Sequence, residues 1–230
     1  MTLTESRVAS VPMDDPDFTL YIQKSGDFKG WRSNAVRKEP WTFKWLKLIG
    51  SGVLYDVGAC VGSYSLMAAA RGATVIAIEP VPLNYEECAA NVRLNGLSDR
   101  VTVLQCAAGI ATGNQALFSK PVPGYGLASI TRRSKGQMQQ VVVPERPLAM
   151  IARDHPRPTH IKIDVEGEER AVISGARDIL DGVQSIICEI QNEYNEAAVI
   201  RMLHGYGLES VWCGGRRTNE ERTCVFERVK

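Results

Sequence analysis

Apolar and polar positions along this chain fall into short runs of two kinds. Near-continuous apolar runs at roughly 52–56, 74–79 ("TVIAIE"), 101–105 ("VTVLQ"), 159–164 ("THIKID") and 185–190 ("SIICEI") read as strands buried on both faces. Helical stretches stand between them. One runs from about Ser63 to Arg71 and stops at Gly72, another from about Asn84 to Asn95 and stops at Gly96. A third, "EERAVISGARDIL", carries Glu168 and Glu169 in its first turn, where carboxylates complement the helix dipole. Two further strand runs, 208–213 and 222–228, close the chain. Strand alternating with helix predicts an α/β fold, a parallel sheet covered by helices on both faces.

The alternation is interrupted twice. Residues 107–150 contain "SKPVPGYG" and the β-prone "QQVVVPE" with few helix signals, which predicts an inserted hairpin or loop on the ligand side of the sheet. Residues 1–50 precede the sheet and hold Trp31, Trp41 and Trp45. Here "KEPWTFKWLKLI" reads as an amphipathic helix with Pro40 in its first turn, packed on the domain or over its mouth. No linker or repeat divides the chain, so 1–230 is expected to be one domain, a size that buries a substantial core.

Composition narrows the partners. A hydrophobic fraction of 44% and a charged fraction of 23% are ordinary for a globular protein, and a net charge of +1 gives no broad footprint for nucleic acid or an anionic membrane. The pairs Arg132-Arg133 and Arg216-Arg217 read as solvated loop charge. Cys60, Cys88, Cys106, Cys188, Cys213 and Cys224 show no C-x-x-C spacing, and four lie in apolar runs, which fits a reducing cytoplasm. The N-terminus lacks a signal-peptide pattern, and no apolar run approaches the ~18 residues of a membrane span.

The candidate chemistry begins at "YDVGACVGSYS", Tyr55 to Ser65, a glycine turn directly after the first strand of the alternation. Such a turn lets the backbone approach a ligand beyond the carboxyl ends of the strands, and amides near Gly62, Ser63 and Tyr64 can bind a carboxylate or phosphate. Asp56 can orient the turn or receive an ammonium group. Glu79, at the end of the next strand, can accept hydrogen bonds from both hydroxyls of a ribose. A dinucleotide site calls for G-x-G-x-x-G, whereas Gly58 and Gly62 give G-x-x-x-G with Asp56 beside them. S-adenosylmethionine, which carries an ammonium, a carboxylate and a ribose, satisfies the three features together. A purely structural turn and a solvated Glu79 are the competing readings.

A second group lies in "HIKIDVEGEE", where Asp164 and Glu166 sit two apart at a strand end and share a face if the strand persists. Methyl transfer to an alcohol needs a base within hydrogen-bond reach, and Asp164 is the candidate. Either carboxylate could instead cap the following helix, the more so Glu166. Asp164, Glu189 and Asn192 can supply hard oxygen ligands to a divalent cation, though nothing in their spacing requires one. His155, His160 and His204 read as structural or surface residues, and no metal-binding histidine pair is present.

Four stretches, "KEPWTFKWL", "YDVGACVGSYSL", "AIEPVPLNYEECAANVRLNG" and "IKIDVEGEERAVISGA", resemble the FkbM family of S-adenosylmethionine-dependent methyltransferases, over about Lys38 to Ile190. The resemblance implies a Rossmann-like seven-stranded methyltransferase sheet with its last strand antiparallel, and O-methylation of a sugar or natural-product hydroxyl. It implies that Asp56, Gly58 and Gly62 line the methionine end, that Glu79 binds the ribose and that Gln105 to Ala107 border the adenine. Asp164 and Glu166 would face the transferred methyl. Cys60 stands where the family usually has asparagine, and Gln191 follows where a histidine is often found, which leaves Asp164 as the base.

Three other readings compete. A nicotinamide-dependent oxidoreductase is disfavoured by the missing third glycine. An RNA methylase would want a basic channel and a motif such as N-P-P-Y, and neither is found. A non-catalytic domain would bind the cofactor without turnover. Acceptor specificity is expected in residues 1–50 and 107–150, where Trp31, Trp41 and Tyr125 can stack on a flat apolar face.

Overall fold

A computed structural model describes residues 9–130, 138–191, 193–214 and 222–229. Asn192 and the pairs Arg132-Arg133 and Arg216-Arg217 lie outside the described residues. The chain opens with a small antiparallel ribbon, β1 (Ser10–Pro12) and β2 (Tyr21–Gln23), followed by α1 (Ala35–Lys38) and α2 (Pro40–Leu46). Pro40 begins α2 without cost, since the first turn of a helix needs no N–H donor there. The alternating part then runs through β3 (Val53–Val57), α3 (Ser63–Ala70), β4 (Thr74–Ile78), α4 (Pro82–Leu94) and β5 (Val101–Leu104). Helix α4 starts two residues before the expected Asn84 because Pro82 also occupies a first-turn position.

The interruption is a separate three-stranded sheet in which β6 (Ala107–Ala108) and β7 (Gly113–Ser119) flank β8 (Gln139–Arg146), with β7 and β8 antiparallel. The chain then returns through α5 (Leu148–Asp154), β9 (His160–Asp164), α6 (Glu169–Ala176), β10 (Ser185–Ile190) and α7 (Glu193–His204). It ends in β11 (Leu208–Gly214) and β12 (Arg222–Arg228).

The seven-stranded sheet has the order β11-β12-β10-β9-β3-β4-β5, and β12 runs antiparallel to both neighbours. Its strands are apolar on both faces because both faces are covered. On β4, Val75 and Ala77 join the core beneath α3, α4 and the N-terminal segment, while Ile76 and Ile78 join the core beneath α5, α6 and α7. The chain builds outward from β3 through β4 to β5 and then crosses back to β9 on the other side of β3. That reversal opens a crevice beyond the carboxyl ends of β3 and β9, where ligands of such sheets bind.

The N-terminal segment is tied down at several places. Asn95, just past the end of α4, exchanges two hydrogen bonds with the Tyr21 main chain, and Asn91 on α4 accepts from the Gln23 amide at 2.7 Å. Trp45 is buried and donates to Ser185 Oγ at 2.9 Å, at the opposite end of the sheet from the crevice. Among the described residues no helix is long and apolar enough to cross a membrane. Cys213 and Cys224, paired across β11 and β12, form a disulfide, which the reading of six dispersed cysteines does not foresee. Cys60, Cys88, Cys106 and Cys188 are buried thiols.

Candidate active site

The crevice is a cavity of about 870 Å³ between a floor and a roof. Its floor is the carboxyl edge of β3, β4, β9 and β10; its roof comes from residues 29–38 and from the 115–130 part of the insertion. The volume lies within the range of small-molecule and cofactor sites, of order 300–1,000 Å³.

Gly58 marks the point where β3 turns over β9. Its φ is +80°, and a Cβ there would stand 2.0 Å from the Asp164 carbonyl oxygen, so any side chain would force the two strands apart. Cys60, at φ +51°, continues the turn and faces the cavity. Glu79 leaves the end of β4 with 4% of its surface exposed. Its two oxygens accept from the Cys60 and Val81 amides at 2.8 and 2.9 Å, so the carboxylate is clamped in place with lone pairs left for a ligand. Burial pushes its pKa up to about 7, against the opposing effect of those two amides.

Beneath the floor lies a charge cluster that the sequence reading does not contain. Lys162 on β9 is buried and donates to Asp164 Oδ2 at 2.9 Å, with Asp56 Oδ1 at 3.7 Å and the Tyr64 ring 5.1 Å away. Burial opposes the ammonium, but the Asp164 and Asp56 carboxylates outweigh it and raise its pKa. Burial also works against the Asp164 carboxylate, yet Lys162 lowers its pKa overall, aided by Lys38 and Arg32. Glu189, paired with Asp164 across β9 and β10, is pushed up to about 9 by the Asp164 charge and by burial. The two carboxyls are thus pushed in opposite directions, Asp164 toward the charged form by Lys162 and Glu189 toward the protonated form by Asp164.

The roof hangs on Gly124. Its carbonyl accepts from Arg32 Nε and Nη2 at 3.1 and 3.0 Å, and its amide donates to Asn84 Oδ1 at 2.8 Å. Asn84 Nδ2 in turn donates to the Tyr125 carbonyl at 3.0 Å. The roof is also cationic: Lys29, Arg32, Arg37, Lys38 and Lys120 line it, facing the carboxylates of the floor.

Of the residues expected from sequence, Gly58, Glu79, Ala107, Asp164 and Glu166 line the cavity. Asp56, Gly62, Ser63, Tyr64 and Gln105 do not. Asp56 is fully buried, accepts from Ser65 Oγ at 2.6 Å and already faces a cation in Lys162, which corrects the expectation that it meets a ligand's ammonium. Gly62 packs under Cys88, and Ser63 spends its hydroxyl on the Arg32 carbonyl, so the first turn of α3 lies behind the cavity wall. Gln105 points to solvent. Trp31 and Tyr125 line the cavity, whereas Trp41 stacks on Trp212 outside it. Of the three proposed metal ligands, Asp164 and Glu189 line the cavity, but Lys162 already serves Asp164 as a cation.

Sequence reasoning missed Arg32, Asn84 and Lys162. Lys162 had a signal, a lysine inside a doubly buried strand and two residues before Asp164, which predicts a buried partner.

Comparison with known proteins agrees with this geometry. The methyltransferase FkbM domain model matches residues 56–208. A hexuronic acid methyltransferase of Haloferax volcanii, AglP, is 27% identical over 177 residues, covering 75% of this chain and 71% of that protein. A tRNA1(Val) (adenine(37)-N6)-methyltransferase of Shewanella loihica is 40% identical over only 62 residues, 26% of each chain. Among solved structures, a precorrin-6y C5,15-methyltransferase of Geobacter metallireducens shares the fold with a TM-score of 0.51 at 16% identity, over 95% of this chain and 98% of that one.

Proposed function

The chain belongs to the FkbM family of S-adenosylmethionine-dependent methyltransferases, and from that premise we propose that it methylates a hydroxyl of a small, acidic, sugar-like acceptor. The observation that carries the reading is Glu79, an immobilised carboxylate at the mouth of the second strand, placed to accept from a ribose diol. Gly58 admits the ligand close to the main chain, and the small side chains of Ala107 and Ala108 border the adenine end. S-adenosylmethionine, when bound, supplies an electrophilic methyl on a sulfonium.

The acceptor lies under the roof. Trp31 and Tyr125 offer flat faces to a pyranose, and Lys29, Arg37, Lys38 and Lys120 suit a carboxylate on it, the chemistry of the hexuronic acid named for the Haloferax volcanii relative. The rival RNA reading rests on a match to a quarter of the chain, and at the end of β9 this chain has Asp164-Val165-Glu166-Gly167 in place of N-P-P-Y.

Asp164 accepts the hydrogen bond of the acceptor hydroxyl and takes its proton as the new C–O bond forms and the C–S bond breaks. With a lowered pKa it is a weak base, but the proton it takes sits on an oxygen that is gaining positive charge, so a weak base suffices late in the transfer. Glu166 stands at the edge of the same space.

Titration calorimetry with S-adenosylmethionine and, separately, NAD tests the reading on the intact protein and on Glu79→Ala. S-adenosylmethionine is expected to bind, with affinity reduced about 10- to 100-fold by the substitution. NAD binding in its absence would sink the proposal. A methyl-transfer assay with hexuronic acids against the corresponding neutral hexoses then tests the acceptor.

A further inference from the structure

Arg32 is a roof cation fastened to the first turn of the floor. Its carbonyl accepts from Ser63 Oγ at 3.0 Å, so its backbone is fastened to the first residue of α3, directly after the glycine turn. Its guanidinium is close enough to Asp164 for that carboxylate's charge to act on it, and it also lies near Cys60, a neutral thiol in the middle of that turn. It lines the cavity, yet among the described residues no carboxylate lies within ion-pair distance of it. Nε and Nη2 share a single carbonyl, that of Gly124, and Nη1 donates to no protein group among the described residues. A guanidinium has five N–H donors in a planar fork matched to a carboxylate. Removing it from water with one acceptor is costly unless an anion completes it.

The chemistry of the floor says which anion. A nucleoside cofactor held at Glu79 directs its amino-acid tail along the β3–α3 turn. The amides of Ser63 and Tyr64, which would ordinarily receive a carboxylate there, are buried behind the wall. Arg32 is the cation that stands over the turn in their stead, whereas Arg37 and Lys38 are exposed. It also lies outside residues 56–208, to which the family match extends.

We infer that Arg32 is the receptor for the α-carboxylate of the cofactor's amino-acid tail, so that the N-terminal segment completes the cofactor site. The inference rests on the S-adenosylmethionine reading above. Occupancy would also hold Gly124, bonded to Arg32, in place over the ligand.

The test compares two ligands that differ only in that carboxylate, S-adenosylhomocysteine and its decarboxylated analogue, by calorimetry on the wild type and on Arg32→Met. The wild type is expected to prefer the carboxylated ligand by about 10- to 100-fold, and Arg32→Met to bind both alike. Equal binding of the two by the wild type overturns the inference even if the variant does not fold. A preference that survives in Arg32→Met overturns it too, and assigns the carboxylate to another group. Binding of neither ligand by the wild type rejects the cofactor reading itself, and the inference falls with it.

Discussion

At the floor of the cavity, Cys60 and Glu79 are joined across 19 positions of chain; at the roof, Arg32 and Gly124 are joined across 92. The Cys60–Glu79 side of the floor is built within one strand-helix-strand unit and packed from both faces, with Glu79 exposed by only 4%. The roof is gathered from two segments outside that unit and hangs on the polar atoms of Gly124 and Tyr125. On the proposed reading, the floor and Arg32 can be kept while the rest of the roof changes, and acceptor choice would lie in that remainder.

The largest effect is expected at the floor. Lys162→Met removes the ammonium that serves Asp164 and Asp56 and leaves two neighbouring carboxylates, one of them fully buried, without a cation, at a cost of about 3–5 kcal/mol in urea unfolding. A loss under about 1 kcal/mol, the scale of an exposed ion pair, would mean that the floor does not depend on the cluster.

A smaller effect separates the floor from the roof by pH. The folded Glu79 carboxyl titrates near 7, above its ordinary 4.5, so the folded protein holds a proton that the unfolded chain has given up. The stability due to that proton is complete below pH 4.5 and is lost as pH rises through 7. Relative to Glu79→Gln, the ligand-free wild type should fall behind by on the order of 3 kcal/mol between those limits. Thermal melts of both proteins across that range decide it, and parallel curves would refute the raised pKa.

The smallest effect is local to the roof. Asn84→Ala deletes the bonds to Gly124 and Tyr125 and should cost about 1–2 kcal/mol. Hydrogen exchange should quicken across 121–130 while the amides of β3 and β4 stay protected. Equal quickening in both places would erase the distinction between floor and roof.

The same distinction decides what could be read from sequence. The central strands were legible to within a residue or so because doubly covered strands must be continuously apolar, as "TVIAIE" and "SIICEI" are. Glu79 and Gly58 followed from position, one at a strand end and one in the first turn. Asp56 was legible as important but not in its partner: the cation it meets is a lysine 106 positions away, not a ligand. Arg32 and Asn84 could not be assigned roles, because a bond to a main-chain carbonyl or amide in a distant loop leaves no residue type to match. Gln105 failed for a different reason. The residue just past a short strand is free to turn either way, and here the chain turns Gln105 outward while Ala107 faces in.

Trp31 has a use that its place in the roof confers. It is 48% exposed and lines the cavity, while Trp45 is buried against Ser185 and Trp41 and Trp212 lie ring to ring elsewhere. Only one of the four indoles thus exchanges water for ligand when the cavity fills. The protein carries its own optical reporter, and the colour of its ultraviolet emission follows occupancy without a label.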